Sequence, residues 1–220
     1  MYYPYVPHYR QPEPNVKRRT LRVTGEGSVS VQPDIARVQL EVITESESLR
    51  QAQQENAQTM SQVINALLNL GLEREDIQTT AFNITPTYDY VDGQQVFRGY
   101  EVRNQITVEV SAIDQVGNII DVAVQNGVNR VSNIRFTVQN RQLYYQQALV
   151  SALENARAKA QTINETMQLN LDPTPVRIVE RVIDTPITYS TLTVAAESFT
   201  TPIEPGESVI IAKVEVHFRY

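Results

Sequence analysis

The chain has 220 residues, no cysteine, two histidines, a formal net charge of -6 and a pI near 5.0. A chain of this length buries roughly 70% of its extended surface, so its core forms without disulfide or metal. The missing thiols exclude disulfide scaffolding, thiol catalysis, Cys-type zinc sites and thiol redox sensing. The acidic balance argues against nucleic-acid partners, and Lys17-Arg18-Arg19 is too short a basic cluster to change that.

Residues 1–20 read as a disordered Tyr/Pro-rich tail, in which Pro4, Pro7, Pro12 and Pro14 stand among Tyr2, Tyr3, Tyr5 and Tyr9. They hold no apolar run of the secretory type, and no later stretch approaches the ~20 apolar residues of a membrane helix. The expectation is therefore a cytoplasmic chain with no transmembrane segment. The alternatives are a cell-surface or spore-associated location, or export if a leader was removed.

From residue 21 the pattern is period two. Leu21, Val23, Val29 and Val31 fall on one side with Gly25 and Gly27 in the same register, and Ala36, Val38, Leu40 and Val42 follow Pro33-Asp34. Pro33 presets φ for a turn and Asp34 can bond the backbone beyond it, so an antiparallel hairpin about Pro33-Asp34 is expected. Ser48 and Gln51 have capping-box spacing, and Leu49, Ala52, Met60, Val63, Ile64, Leu67 and Leu68 mark a helical face that Gly71 closes. Residues 76–90 alternate again, with Phe82, Ile84, Tyr88 and Tyr90 on one side. Asp92-Gly93 then signals a two-residue hairpin loop that sets Tyr88 opposite Phe97. The return strand places Val102, Ile106, Val108 and Val110 inward.

A second amphipathic helix carries Ile113, Val116, Ile120, Ala123 and Val124, ends at Gly127, and leads to a strand with Ile134, Phe136 and Val138. Helix, glycine, then strand thus occurs twice, a weak internal duplication. A third helix starts at Asn140 as N-cap and carries Leu149, Leu153, Ala156, Ala160, Ile163 and Met167, with Asn170 and Pro173 as its stop. Met60 and Met167 are read as helix-core residues. Residues 176–183 and 208–220 read as strands. The Thr-rich stretch between them, 184–207, is an exposed arm, too long for a simple connector. The whole predicts an α+β fold: antiparallel sheets of about seven strands, three amphipathic helices on one face, repeated helix-strand units, and one domain over 21–220.

These residues carry a resemblance. Gly25-Glu26-Gly27-Ser28-Val29 through Gln32-Pro33-Asp34-Ile35-Ala36 resembles the opening signature of the SIMPL-domain family, the YggE-like bacterial oxidative-stress proteins. Asp76-Ile77-Gln78-Thr79, Pro86-x-Tyr88-Asp89-Tyr90, Gly99-Tyr100 with Asn104, and Val116-Gly117 to Asp121 continue it in order. Ala156-Arg157-Ala158-Lys159-Ala160 and Thr201-Pro202-Ile203-x-Pro205-Gly206-Glu207 complete it. The resemblance covers essentially 21–220 and implies a role in stress defence, with homo-oligomers in some members. It brings no accepted catalytic residues to carry over.

The search for chemistry agrees. Only His8 and His217 are available as bases, and both read as solvated. The carboxylate pairs Asp89/Asp92 and Glu45/Glu47 lie in turns, and Gly25-Glu26-Gly27 lacks the third glycine and following helix of a phosphate loop, so close packing explains it better. No catalytic, cofactor-binding or metal residues are assigned. The expectation is a non-enzymatic, homo-oligomerising scaffold or stress-protection protein whose partner is itself. The alternative is a peptide or small-ligand binding module using Tyr88, Tyr90, Phe97 and Tyr100 as an aromatic platform. The outward charges Glu101, Arg103, Glu109, Lys213, Glu215 and Arg219 are positioned to pair across strands.

Overall fold

In this computed structural model the description covers residues 19–181 and 201–220, with the backbone alone of 187–189. Residues 1–18 of the tail expected at 1–20 and most of the arm expected at 184–207 lie outside it, as does His8, while Thr20 already belongs to a strand. The described elements run β1 (Thr20–Val31), β2 (Ile35–Ser46), α1 (Leu49–Asn69), β3 (Ile77–Val91), β4 (Gln94–Val110), α2 (Val116–Gln125), β5 (Arg130–Thr137), α3 (Arg141–Met167), β6 (Arg177–Arg181), β7 (Ile187–Tyr189) and β8 (Glu207–Arg219). The fold is α+β with two antiparallel sheets, as the alternating and helical periodicities predict. By its contacts the chain divides into two compact units. One is formed by Val29–Tyr145 with Thr185–Ile210, the other by Met1–Ser28, Gln146–Asp184 and Ile211–Tyr220.

The first unit is built on the sheet β3-β4-β2-β5. Ala36, Val38, Leu40 and Val42 of β2 and Ile106 and Val108 of β4 are fully buried under Met60, Val63 and Leu67 of α1 and Val116, Ile119 and Ala123 of α2. Each Val, Leu, Ile or Met side chain so removed from water is worth roughly 1.5–3 kcal/mol, which is why period two in the strands and the helical stripes meet here. Ser48 caps α1 by accepting from the Gln51 backbone N–H.

The expected hairpin about Pro33-Asp34 does not form. β1 pairs in the other sheet beside β8, while β2 lies between β4 and β5. Asp34 instead fastens the end of β5: its N–H donates to the Thr137 carbonyl at 3.1 Å and its carboxylate accepts from the Gln139 N–H at 2.7 Å. A local turn signal lost to non-local partners, because β2 buries both its edges only between two other strands.

Gly71 and Gly127 both stand just past helices at positive φ, +96° and +114°, as the duplicated helix-glycine-strand pattern predicts. Their surroundings differ. A Cβ on Gly71 meets open space, whereas one on Gly127 overlaps the Thr59 methyl. Gly71→Ala is therefore expected to cost about 1 kcal/mol for the left-handed backbone alone, and Gly127→Ala about 2 kcal/mol, part of it recovered by Thr59→Ser. Urea unfolding of the three variants measures the difference.

In the second unit α3 covers the sheet β1-β8-β6. Asn140 caps it as expected, accepting from the Leu143 N–H at 3.2 Å, but it ends at Met167, where Gln168 turns to φ +51°, before Asn170. Its buried residues are Ala148, Ala152, Ala156 and Ala160, with the leucines of the expected face only half-buried beside them. Met167 is 65% exposed, which corrects its reading as a core residue; Met60 is buried. The helix approaches the sheet through its smallest side chains, so the larger ones are pushed to the flanks.

Candidate functional site

The aromatic hairpin is the first candidate. Asp92 and Gly93 both take positive φ, +52° and +79°, the two-residue turn whose twist matches the flanking strands. The register sets Tyr88 opposite Phe97, their rings edge-on at 5.9 Å and 74°. Then it shifts: Thr87 pairs with Gly99, leaving Arg98 as an extra residue. Phe97 and Tyr100, three apart, would face opposite sides of a regular strand. The bulge turns them to one side, and their rings meet at 5.2 Å and 68°. Arg98 fastens the bulge through Glu45 at 2.9 Å and Asp89 at 3.6 Å, and Gly99 lies where a Cβ would stand 2.7 Å from the Ser46 carbonyl oxygen.

Of the four expected platform residues the structure thus gathers three. Tyr90 is 74% exposed, and its hydroxyl accepts from Gln95 Nε2 at 2.8 Å. The sequence missed the bulge, for which Gly99 was the signal. It also missed why this surface is open. Phe82 and Ile84 pair with Asn104 and Val102 and share their face, but α1 packs over β2 and β4 and leaves edge strand β3 uncovered. The apolar side of β3 is therefore exposed from Phe82 through Tyr90, with Phe97 beside it.

The signature glycines have a packing role. A Cβ on Gly25 would overlap the carbonyl oxygen of Ala152, and one on Gly27 that of Ala148, so β1 touches the backbone of α3 there. A second close approach joins two distant motifs. Gly117 of α2 admits the Thr201 carbonyl, and one turn on, the Asp121 carboxylate accepts from Thr201 Oγ1 at 2.6 Å and from its N–H at 3.1 Å. Ile203 then packs on the core.

The titratable groups form structural pairs. Arg37 meets Glu109 across strands at 2.8 Å, Arg103 meets Glu101 along β4 at 2.6 Å, and Lys213 meets Glu26 at 2.9 Å. His217, expected to be solvated, is only 20% exposed at its side chain, with Nε2 2.8 Å from Glu215. Glu215 is also held by Arg22 and Arg181. The His217 hydrogen bond, helped by the two arginines and opposed by desolvation, lowers the Glu215 carboxyl to about 2. A depressed carboxylate stabilises fully above the usual carboxylate range, and that contribution is lost only as pH falls toward 2.

Among the described residues no three His, Asp or Glu side chains gather as a metal site, and no helix is long and apolar enough to cross a membrane. A cleft of about 460 Å³ near Leu70 and Gln115 is lined by Glu73, Glu75 and Asp76, but Asp76 is engaged in capping the Glu73 N–H at 3.0 Å.

Comparison with known proteins adds a family and relatives. A family model described as SIMPL, protein of unknown function (DUF541), matches residues 21–218. The 26 kDa periplasmic immunogenic protein of Brucella melitensis is 30% identical over 215 residues, 90% of this chain and 84% of the relative. The corresponding protein of Brucella abortus matches equally, and the uncharacterized protein YggE of Escherichia coli is 26% identical over 150 residues, 68% of this chain and 61% of the relative. The Brucella match overturns the expectation of a cytoplasmic chain, since a relative aligned over nine-tenths of these residues is a periplasmic protein. That expectation rested on the character of the first twenty residues, which says nothing of where the folded remainder works.

Proposed function

The chain belongs to the SIMPL family, and from that premise we propose that it is a non-enzymatic, homo-oligomerising scaffold working outside the cytoplasm, each copy joined to another through the β3-β4 hairpin. The observation that carries this reading is the uncovered apolar side of β3, where Phe82, Ile84, Tyr88 and Tyr90 with Phe97 are 39–74% exposed. At roughly 150–250 Å² each, five side chains about half exposed offer about 500 Å² of apolar surface, more than half of the ~800 Å² that each partner contributes to a standard interface. A patch of that size is as large as the largest on a typical monomer, and such patches are often interaction sites. The occupant is a second copy, because two identical apolar faces are self-complementary. Pro86 and the bulge at Thr80 of β3 blunt direct strand-edge pairing, so the contact is through side chains. With no cysteine, protection against oxidative stress acts indirectly, through binding.

The test is light scattering at tens of micromolar on the full chain and on Phe82→Ser/Tyr90→Ser. The expected result is a multi-chain particle whose mass falls toward the 24.9 kDa of one chain in the variant, with circular dichroism unchanged. A monomeric full chain, or a variant particle of unaltered mass, defeats the reading. A monomer that captures aromatic-rich peptides through Tyr88 and Phe97 establishes the binding-module alternative instead.

A further inference from the structure

We propose that the face of the β1-β8-β6 sheet opposite α3 is an electrostatic docking surface for the acidic unit of a second copy of this chain. The proposal rests on the oligomer reading above and adds a polar contact to it. α3 takes one face of this sheet, through Gly25, Gly27 and its alanines. On the other face stand Arg22 and Glu26 of β1, Arg177 and Arg181 of β6, and Lys213, Glu215, His217 and Arg219 of β8. That is five cations against two carboxylates, in a chain whose net charge is -6.

The two carboxylates are already paired. Glu215 holds Arg22 and Arg181, and Glu26 holds Lys213. Arg177 and Arg219 are exposed and have no ion-pair partner among the described residues. They are neighbours: Arg177 lies opposite His217 in the register, and Arg219 stands two residues farther along β8 on the same face. Two unengaged guanidinium forks on a pleated surface present donors suited to carboxylates.

Charge complementarity identifies the occupant. Over its described residues the unit of Val29–Tyr145 with Thr185–Ile210 carries sixteen Asp or Glu against eight Arg and no Lys, a net of -8. The described residues of the other unit carry eight Lys or Arg against six Asp or Glu, a net of +2. A second copy therefore offers this face the opposite sign.

The experiment is light scattering on the full chain, Arg177→Glu/Arg219→Glu and Arg177→Lys/Arg219→Lys, at about 0.1 M and about 1 M salt, where the screening length falls from about 10 Å to about 3 Å. The expected result is a wild-type mass that drops on adding salt, a smaller low-salt mass for the glutamate variant, and a near-wild-type mass for the lysine variant. Sub-stoichiometric glutamate variant added to wild type should also shrink the wild-type particle. If the glutamate variant does not fold, the salt response of the wild type decides. A multi-chain wild type with no salt response and a glutamate variant of equal mass overturn the ionic face while leaving the hairpin reading intact. Retention of the wild type on anionic vesicles, abolished in the glutamate variant without change in mass, assigns the face to a membrane and overturns the second copy as occupant.

Discussion

Gly25→Val and Gly27→Val should each prevent the unit containing α3 from folding normally. The Cβ of either variant overlaps a backbone carbonyl of α3, Ala152 or Ala148, and a backbone atom within a helix cannot rotate away as a side chain can. The helix must lift off β1, and with it go the contacts of Ala148, Ala152 and Ala156 and the cover over Val214, Val216 and Phe218. Overpacking of this kind costs about 1–3 kcal/mol where a site relaxes, so about 3 kcal/mol or more is expected here. Urea unfolding with circular dichroism measures it. Gly25→Ala should already be damaging, and adding Ala156→Gly should not rescue it, because the main obstacle is the Ala152 carbonyl oxygen and not the Ala156 methyl. Rescue by Ala156→Gly would show that the helix backbone does not set the contact.

Asn56→Leu should be the most damaging polar substitution in α1. Asn56 is fully buried between Ala52 and Met60, and its Nδ2 donates to the Val42 carbonyl at 2.9 Å and the Val102 carbonyl at 3.1 Å. One side chain thereby clasps the helix to both β2 and β4. Leucine keeps the volume but removes both donors. Each net hydrogen bond is worth about 1 kcal/mol and the stranded acceptors cost more, so about 2–3 kcal/mol is expected, or a melting temperature lower by about 5–10 °C. Gln53→Ala, exposed on the same helix, should change stability by less than about 0.5 kcal/mol. Equal effects of the two would remove the clasp from the account.

Much of this molecule was determined by local sequence. Alternation put Ala36, Val38, Leu40 and Val42 on a buried face, because a strand's side chains point up and down in turn. Asp92-Gly93 set the hairpin and with it the Tyr88-Phe97 pair, because two residues able to take positive φ select that turn. Asn140 capped α3, and Gly71 and Gly127 closed their helices, for reasons confined to a few neighbouring residues.

The tertiary structure alone decided what depends on distant partners. Whether Pro33-Asp34 turned back into a hairpin or led into a second sheet was settled by the strands competing for β2, which come from residues 94–137. Asn56 was passed over in the helical stripe because a polar residue earns burial only when carbonyls 14 and 46 residues away await it. Ala156 and Ala160 stood on the expected face of α3, but that alanines and not leucines are its buried residues followed only from Gly25 and Gly27, which supply a surface close enough to prefer small side chains. The open apolar side of β3 followed the same logic: its residues alternate like those of a buried strand, and only the course of α1 over β2 and β4 left them exposed. Periodicity states which side of an element is apolar; what covers that side is fixed by the packing of elements far apart in the chain.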